Sequence, residues 1–361
     1  MYPAIAADLP KIRDNAEIIL RACGQAGVAL SLVTKAFLAD KDIVAALDDL
    51  PFHSLADARL MNLAGTRTAR PKMLLRIGDP AQAQAIINHS DISLQSEVTT
   101  IKALAAAAEK QSRSHKVILM IDLGDLREGI FHQDRPAILR AAKLICESPR
   151  LELYGIGSNL SCFGGIVPDQ ENLGHLLEIS AWLRRTLDLP IPLVSGGNSS
   201  SLGLLFAGRL PRGVNHLRVG EGLLLGMDTA TGLPFPQLHQ DTFTVKARLG
   251  EAQYKPSRPS GQSGPNAFGE RLSFPDLGPM RRGIALIGRQ DIDPRGLIPL
   301  DPEIRILGAS SDHLILDLGQ ETAYKAGDLL FFRPDYGALL RAYTSPYVRR
   351  TCTNQAPDIM E

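Results

Sequence analysis

A lysine that closes an apolar run is the sharpest chemical signal in this sequence. Lys35 follows Ala-Leu-Ser-Leu-Val-Thr at 29–34. A lysine at a strand end is often just a solvated terminus. Partly withdrawn from water, however, it has a lowered pKa and a nucleophilic amine that can form a Schiff base with a carbonyl. A second signal is Ser195-Gly196-Gly197-Asn198-Ser199-Ser200-Ser201. Its glycines allow close backbone approach, and its hydroxyls and amides at a helix start offer donors to an anion. Gly-Ser clusters are also ordinary loops, so this run gains weight only from its place in the fold. A third signal, Arg218-Val219-Gly220-Glu221-Gly222, sets a guanidinium beside two more glycines.

Residues so far apart meet only if a repetitive scaffold gathers them. Eight strand-like runs recur: Val28–Lys35, Pro51–Asp57, Lys72–Ile77, Asp91–Gln95, Lys116–Asp122, Leu151–Ser158, Pro190–Gly196 and Val214–Gly220. Between them lie segments such as Ile43–Leu50, Thr99–Lys110, Arg135–Ser148 and Asn172–Leu187, with apolar residues at helical spacing. This alternation predicts parallel βαβ units in an α/β fold, an eight-stranded β/α (TIM) barrel. A doubly wound open sheet would have fewer strands and a glycine-rich first turn. In a barrel the strands' C-terminal ends carry the chemistry. Here those ends offer Lys35, Asp57, Arg76, Gln95, Asp122 with Arg127, Asn159, Ser195–Ser200 and Arg218. Polar residues also simply begin loops, but together they predict a polar mouth for a charged ligand.

After Gly226 the composition changes. Thr229–Gln240 reads as a linker. Short strand-like runs follow at Phe243–Ala247, Gly283–Gly288, Glu303–Leu307, Leu314–Leu318 and Leu329–Phe332, with a loop at Ser257–Gly269, and the helical signal nearly disappears. The expected layout is an N-terminal strand (1–9) pairing with the β domain, a barrel (10–228), a C-terminal all-β domain (229–350) and a flexible tail (351–361).

Thirty-nine basic and 39 acidic residues balance in a chain of 361. That argues against a nucleic-acid or membrane-surface partner, which usually demands a basic excess. The four cysteines form no CxxC pair, so neither a disulfide framework nor a metal site is expected, and a cytoplasmic location fits. The N-terminus lacks the pattern of a signal peptide, and no apolar stretch is long enough for a membrane span.

The lysine on the first barrel strand, the glycine-serine run after the seventh and the trailing β domain resemble the alanine-racemase-like enzymes that use pyridoxal 5′-phosphate (PLP). The sequence is similar to the alanine/ornithine racemase family over nearly its whole length, on its ornithine side. The stretches LGDLREG, SGGNSSS and GASSDH are specific, and SLVTKAF, GSNLSCFGG, LRVGE, IGRQDIDP and DYGALLRAYTSPYV support them. The resemblance makes Lys35 the lysine that holds PLP. It places Arg127 on the cofactor's phenolic oxygen, Asn159 against its ring, and Ser199, Ser200, Gly220 and Gly222 on its phosphate. Arg218 would face the pyridine nitrogen and Tyr336 would reach the phosphate from the β domain. A guanidinium does not give up its proton, so the nitrogen facing Arg218 should stay unprotonated, which restrains transamination and decarboxylation. Were Glu221 to face it instead, electron withdrawal would strengthen.

The implied activity is racemisation of an amino acid, with proton exchange on both faces of Cα and a homodimer sharing its active sites. Lys35 serves one face. Alanine racemases use a tyrosine of a Ser-Tyr-Gly stretch from the partner subunit on the other. Here the stretch reads Ala267-Phe268-Gly269, and phenylalanine has no proton to give. His313, Asp312, Ser311 and, last, Tyr343 stand as candidates. Asp312 and Asp291 could pair with a distal ammonium, favouring ornithine or lysine over alanine, although aspartates equally often stabilise turns. A broad-specificity alanine/serine racemase, a PLP-dependent lyase, a PLP carrier without activity and a barrel enzyme acting on sugars or phosphates are the rivals. The lyase would need a His and a Cys close together near the C-terminus, whereas His313 and Cys352 are far apart.

Overall fold

Eight short strands whose residues alternate between two buried faces can close on themselves, and those of this chain do. The computed structural model describes residues 2–320 and 322–353. Two units divide it: Lys11–Gln240, and the segment up to Pro10 together with the segment from Asp241 onward. Strand β1 (Ala4–Asp8) belongs to the latter. The ring is built from β2 (Ala29–Val33), β3 (Ser54–Asp57), β4 (Lys72–Leu74), β5 (Ile92–Gln95) and β6 (His115–Asp122). After the two-residue β7 (Ile130–Phe131), which pairs only with β6, come β8 (Leu151–Gly157), β9 (Leu193–Ser195) and β10 (His216–Val219). Each ring strand pairs in parallel with its neighbour, and β10 returns to β2, so the sheet closes. All eight expected strands are present. The short β7 carried no signal, since two residues show no periodicity.

The helices between the strands form for legible reasons. Arg135–Glu147 is capped by Asp134 and buries Ile138, Ala141, Ala142 and Ile145, the spacing of one helical face. Gln170–Leu187 opens with a capping box between Asp169 and Asn172 and buries Leu173, Leu176, Ile179 and Leu183. Each such side chain, once buried, contributes about 1.5–3 kcal/mol. Val33, Ala56, Met73, Ile92, Leu94, Ile118, Met120 and Leu193 form a buried cluster drawn from six ring strands. Close strand approach is set by Gly155, where a Cβ would lie 2.5 Å from the Leu193 carbonyl oxygen and 2.7 Å from its Cβ.

The loop after β6 is held rigidly. Asp122 accepts from the amides of Gly124 (2.9 Å) and Leu126 (3.2 Å). Gly129 has φ +136°, and a Cβ there would sit 2.4 Å from the Asp122 nitrogen, so only glycine fits. Asp125, fully buried, accepts from Cys162 (3.0 Å), Phe163 (2.9 Å) and Ile166 (3.1 Å), tying this loop to the one after β8. Burial pushes the Asp125 carboxyl up, but those three amides outweigh it and hold it below its ordinary value.

The β unit contains β11 (Phe243–Pro256), β12 (Pro279–Ala285), β13 (Leu297–Pro299), β14 (Arg305–Ala309), β15 (Leu314–Asp317), β16 (Leu329–Pro334) and β17 (Arg349–Thr353). Their order is β13-β16-β11-β12-β15-β14, and β1 joins β11 antiparallel and β17 parallel. Three expectations need correction. The segment 229–240 clusters with the barrel unit, because Asn15 grips His239 through both its amide donor (2.9 Å) and its oxygen (2.7 Å). The expected flexible tail begins as strand: Thr351, Cys352 and Thr353 pair with Ala6, Ala7 and Asp8, and residues 354–361 lie outside the described residues. A helix, Tyr336–Thr344, was not expected. Its second residue is glycine, which hid the helical pattern, yet Asp335 caps it by accepting from the Ala338 amide (2.8 Å).

Gly155→Ala should lower stability by about 1–3 kcal/mol through forced strand separation. Gly24→Ala, where nothing lies within 4 Å of the added carbon, should be neutral or stabilising. Urea unfolding of both variants checks the contrast. Asp125→Asn should cost about 1–3 kcal/mol at neutral pH. A depressed folded pKa gives stability present above the unfolded value and lost as pH falls through the folded one. The wild type should therefore lose this increment on acidification below about pH 4, and the variant's stability should fall less over the same range in urea melts.

Candidate functional site

The root of Lys35 is fixed and its head is exposed. Lys35 opens a single 3₁₀ turn, Lys35–Phe37, immediately after β2 and Thr34. Thr34 is buried and donates its hydroxyl to Asp57 Oδ2 (2.6 Å), and Ala36 and Phe37 are buried behind the lysine. Burial pushes the Asp57 carboxyl up, and its hydrogen bonds from Thr34, Arg59 and Asn62 counter that. Asp57 thus braces the lysine's strand end and takes no place in the mouth itself.

Arg218 is only 2 % exposed, an unusual place for a guanidinium. It donates to Ser195 Oγ, to the Ser158 carbonyl (2.7 Å) and to Asn159 Oδ1 (2.8 Å). The Asn159 amide in turn donates to Glu128 Oε1, which also receives Arg127. A continuous polar line, Arg127–Glu128–Asn159–Arg218, therefore crosses the rim from β6's loop to β10. Burial drives the Arg218 pKa down to about 10, and the Glu128 charge opposes the fall. Arg218 stays charged at neutral pH.

Glu128 went unnoticed in the sequence. It reads as one more acid in a charged loop, and only the chain crossing places it between two arginines. Cys162 was likewise passed over. Its Sγ receives the Asn198 amide (3.2 Å). Burial raises its pKa, while Arg127 and Lys35 are among the charges that act on it, which puts both cations in one electrostatic neighbourhood.

The glycine-serine run forms an inward-turned cradle. Ser199 and Ser200 are buried. Ser199 Oγ accepts from the amides of Gly222 (3.0 Å) and Gly220 (3.4 Å), and Asn198 Oδ1 caps the Ser200 amide (2.8 Å). A Cβ on Gly222 would lie 2.6 Å from Leu202 Cδ1, and one on Gly220 would lie 3.0 Å from Val33 Cβ. The two glycines let the backbone donors approach closely here. An anion with several oxygens matches this donor set, and an aldehyde-bearing aromatic ring between it and Lys35 would meet Arg218 and Asn159. Glu221 opens the five-residue helix Glu221–Leu225.

Not every strand end serves this mouth. Gln95 is buried and donates to Ser93 Oγ (3.0 Å), Asp122 holds its own loop, and Arg76 is exposed.

The β unit's expected residues form a separate group. Ser311, Asp312 and His313 are exposed in the turn between β14 and β15. Asp312 accepts from the Ser311 hydroxyl (2.8 Å) and the Gln290 amide (3.1 Å). Asp291, the other aspartate expected to meet a distal ammonium, is engaged within its own loop. It is buried and accepts from the Ser345 hydroxyl (3.1 Å) and the Gly288 amide (3.4 Å), bracing its loop. Tyr343 is fully buried against Phe243 and is a core residue, out of reach as a base. Phe268 is exposed, with the Arg289 guanidinium 4.2 Å above its ring and Glu270 paired to that same arginine. Tyr336 is half-buried at the first position of its helix.

Residues 7–227 match the family model described as alanine racemase, N-terminal domain. The chain is 43 % identical to an ornithine racemase of Acetoanaerobium sticklandii over 352 residues, covering 97 % of this chain and 99 % of that one. It is 35 % identical to a lysine racemase of Thermotoga maritima over 353 residues, covering 97 % and 98 %. Among solved structures, an alanine racemase from Streptomyces lavendulae superimposes with a TM-score of 0.75 at 18 % identity, covering 99 % of each chain. One from Bartonella henselae with covalently bound pyridoxal phosphate gives 0.73 at 18 % identity, covering 98 % of this chain and all of that one. A ring closed by eight parallel strands, a lysine at the end of the first and full-length similarity to two amino-acid racemases agree, and the chain belongs to the alanine racemase family.

Proposed function

We propose that this protein is a PLP-dependent racemase that interconverts L- and D-ornithine, with lysine as its next substrate. One observation carries the reading: the barrel's strand ends hold an amine, a buried guanidinium and a glycine-serine cradle of amides and hydroxyls. Full-length similarity to an ornithine racemase supplies the substrate class. When bound, PLP draws electrons from the substrate's Cα and so acidifies its proton.

The chain's own groups do the rest. Lys35 would hold the cofactor through its aldehyde and, with substrate in place, would move the proton on one face of Cα. Ser199, Ser200, Gly220 and Gly222 hold the phosphate, with Tyr336 as a further donor from the β unit. Arg127 binds the phenolic oxygen and Asn159 packs on the ring. Arg218 donates to the ring nitrogen and, still charged at neutral pH, leaves it unprotonated, which disfavours transamination and decarboxylation. On the other face Phe268 offers no proton, so His313, Asp312 or Ser311 takes that role. Asp312 also meets the distal ammonium, and a homodimer in the cytoplasm completes the reading. An ammonium–carboxylate pair withdrawn from water separates diamino acids from alanine by about 2–5 kcal/mol.

The PLP-loaded protein, given L-ornithine, L-lysine, L-alanine and L-serine in turn, should produce the D-isomer from the diamino acids and little from the others, as read by chiral chromatography. Equal turnover of alanine would remove the substrate assignment. Lys35→Ala should lose both racemisation and the visible absorbance of lysine-bound cofactor. Retention of that band would place PLP on another lysine.

A further inference from the structure

Inside the barrel, below Arg218, lies a chain of small polar groups that the reaction as described does not use. His216 stands two residues before Arg218 on β10 and is fully buried. Its Nδ1 lies 2.7 Å from Ser195 Oγ and its Nε2 lies 2.7 Å from Ser31 Oγ. Ser31 Oγ continues to Ser54 Oγ at 2.6 Å. Ser195 Oγ is the atom that also receives Arg218. The five residues come from four neighbouring strands, β3, β2, β10 and β9.

The charge at one end of the chain sets the direction of its bonds. A guanidinium only donates, so Ser195 Oγ accepts from Arg218. The Ser195 hydroxyl proton then has one partner left, His216 Nδ1, which must accept. Nε2 therefore carries the hydrogen and donates to Ser31, whose own proton goes to Ser54. The opposite chain would aim an N–H and an unpaired hydroxyl proton at the Arg218 end, whereas this one turns the Nδ1 lone pair toward that charge and ends on the Ser54 hydroxyl, so the guanidinium selects the Nε2–H form. Burial and the Arg218 charge hold the His216 pKa well below its ordinary value, which keeps the ring neutral, as the scheme requires.

We propose that His216, acting through Ser195, is a positioning residue: in its neutral Nε2–H form it turns the Ser195 lone pair toward Arg218 and so aims the guanidinium at the cofactor ring. This rests on the reading of Arg218 as the partner of the ring nitrogen. Ser195, the Ser158 carbonyl and Asn159 take three of the arginine's N–H groups. The remaining ones stay available to a ligand, and their direction is set by the three anchors. With Ser195 unable to accept in a fixed direction, the guanidinium would be held from the Ser158–Asn159 side alone.

Nitrogen-15 NMR of histidine-labelled, PLP-free protein judges the relay without any activity. His216 should show a neutral ring with the hydrogen on Nε2 across neutral pH. An Nδ1–H tautomer or a charged ring would overturn the proposal. Ser195→Ala and Ser54→Ala then separate positioning from packing, since each deletes one buried hydroxyl from the same chain. Ser195→Ala in the PLP-loaded enzyme should shift the cofactor's visible band and lower kcat about ten- to a hundredfold with little change in KM. Ser54→Ala should leave both near wild type. Equal effects of the two substitutions, or none from Ser195→Ala, would reduce the chain to core packing and refute a positioning role. Failure of the wild-type protein to take up PLP would instead sink the functional reading, and with it the purpose of the relay, whatever the NMR tautomer.

Discussion

A positive charge held inside a closed barrel is the constraint around which the site is arranged. Removing an isolated ion from water costs several kcal/mol even after relaxation. Arg218 remains charged because every neighbour that reaches it is an acceptor: Ser195, the Ser158 carbonyl and Asn159. Asn159 relays the negative charge of Glu128 to it without a direct ion pair, and Glu128 in turn receives Arg127. Two guanidinium groups and one carboxylate therefore share a rim in alternating order. That arrangement suits a bound anion and an aromatic nitrogen better than it suits water.

Holding such a line requires loops that do not drift. Asp125 supplies that rigidity by collecting three amides from the loop after β8, so that the arginine side of the line and the asparagine side move as one piece. The cradle across the ring is rigid for a different reason. There the backbone packs closely: a Cβ at 220 would lie 3.0 Å from Val33 Cβ, and one at 222 would press on the end of the Leu202 side chain. Lys35 completes the set from a strand end whose threonine is bonded to a buried aspartate. Lys35 springs from a fixed strand end, and Arg218, Ser199 and Ser200 are buried and anchored by hydrogen bonds. That is how a site keeps both reactivity and position.

The β unit follows other rules. Its exposed turn at Ser311–His313 carries hydrogen-bonding groups with small reorganisation costs, whereas Asp291 and Tyr343 are spent on the unit's own interior. Phe268 is exposed beneath the Arg289 guanidinium, which Glu270 pairs.

The sequence by itself determined the ring of eight strands, because alternating strand and helix patterns are local and each run was long enough to show its period. It also marked Lys35, the glycine-serine cradle and Arg218, through their place at the strand ends and the motifs that carry the family resemblance. It did not separate working polar groups from bracing ones. Asp57, Gln95 and Asp122 look the same as Asn159 in one dimension, and only the closing of the sheet shows that the first three hold loops. Glu128, Cys162 and His216 acquired meaning only in three dimensions. The partners that give them meaning, Asn159, Asn198, Ser31 and Ser195, lie 20 or more residues away, and no local pattern encodes a hydrogen bond across a barrel. The parallel strand at Arg349–Thr353 was hidden for the same reason: its partner, β1, lies at the opposite end of the chain.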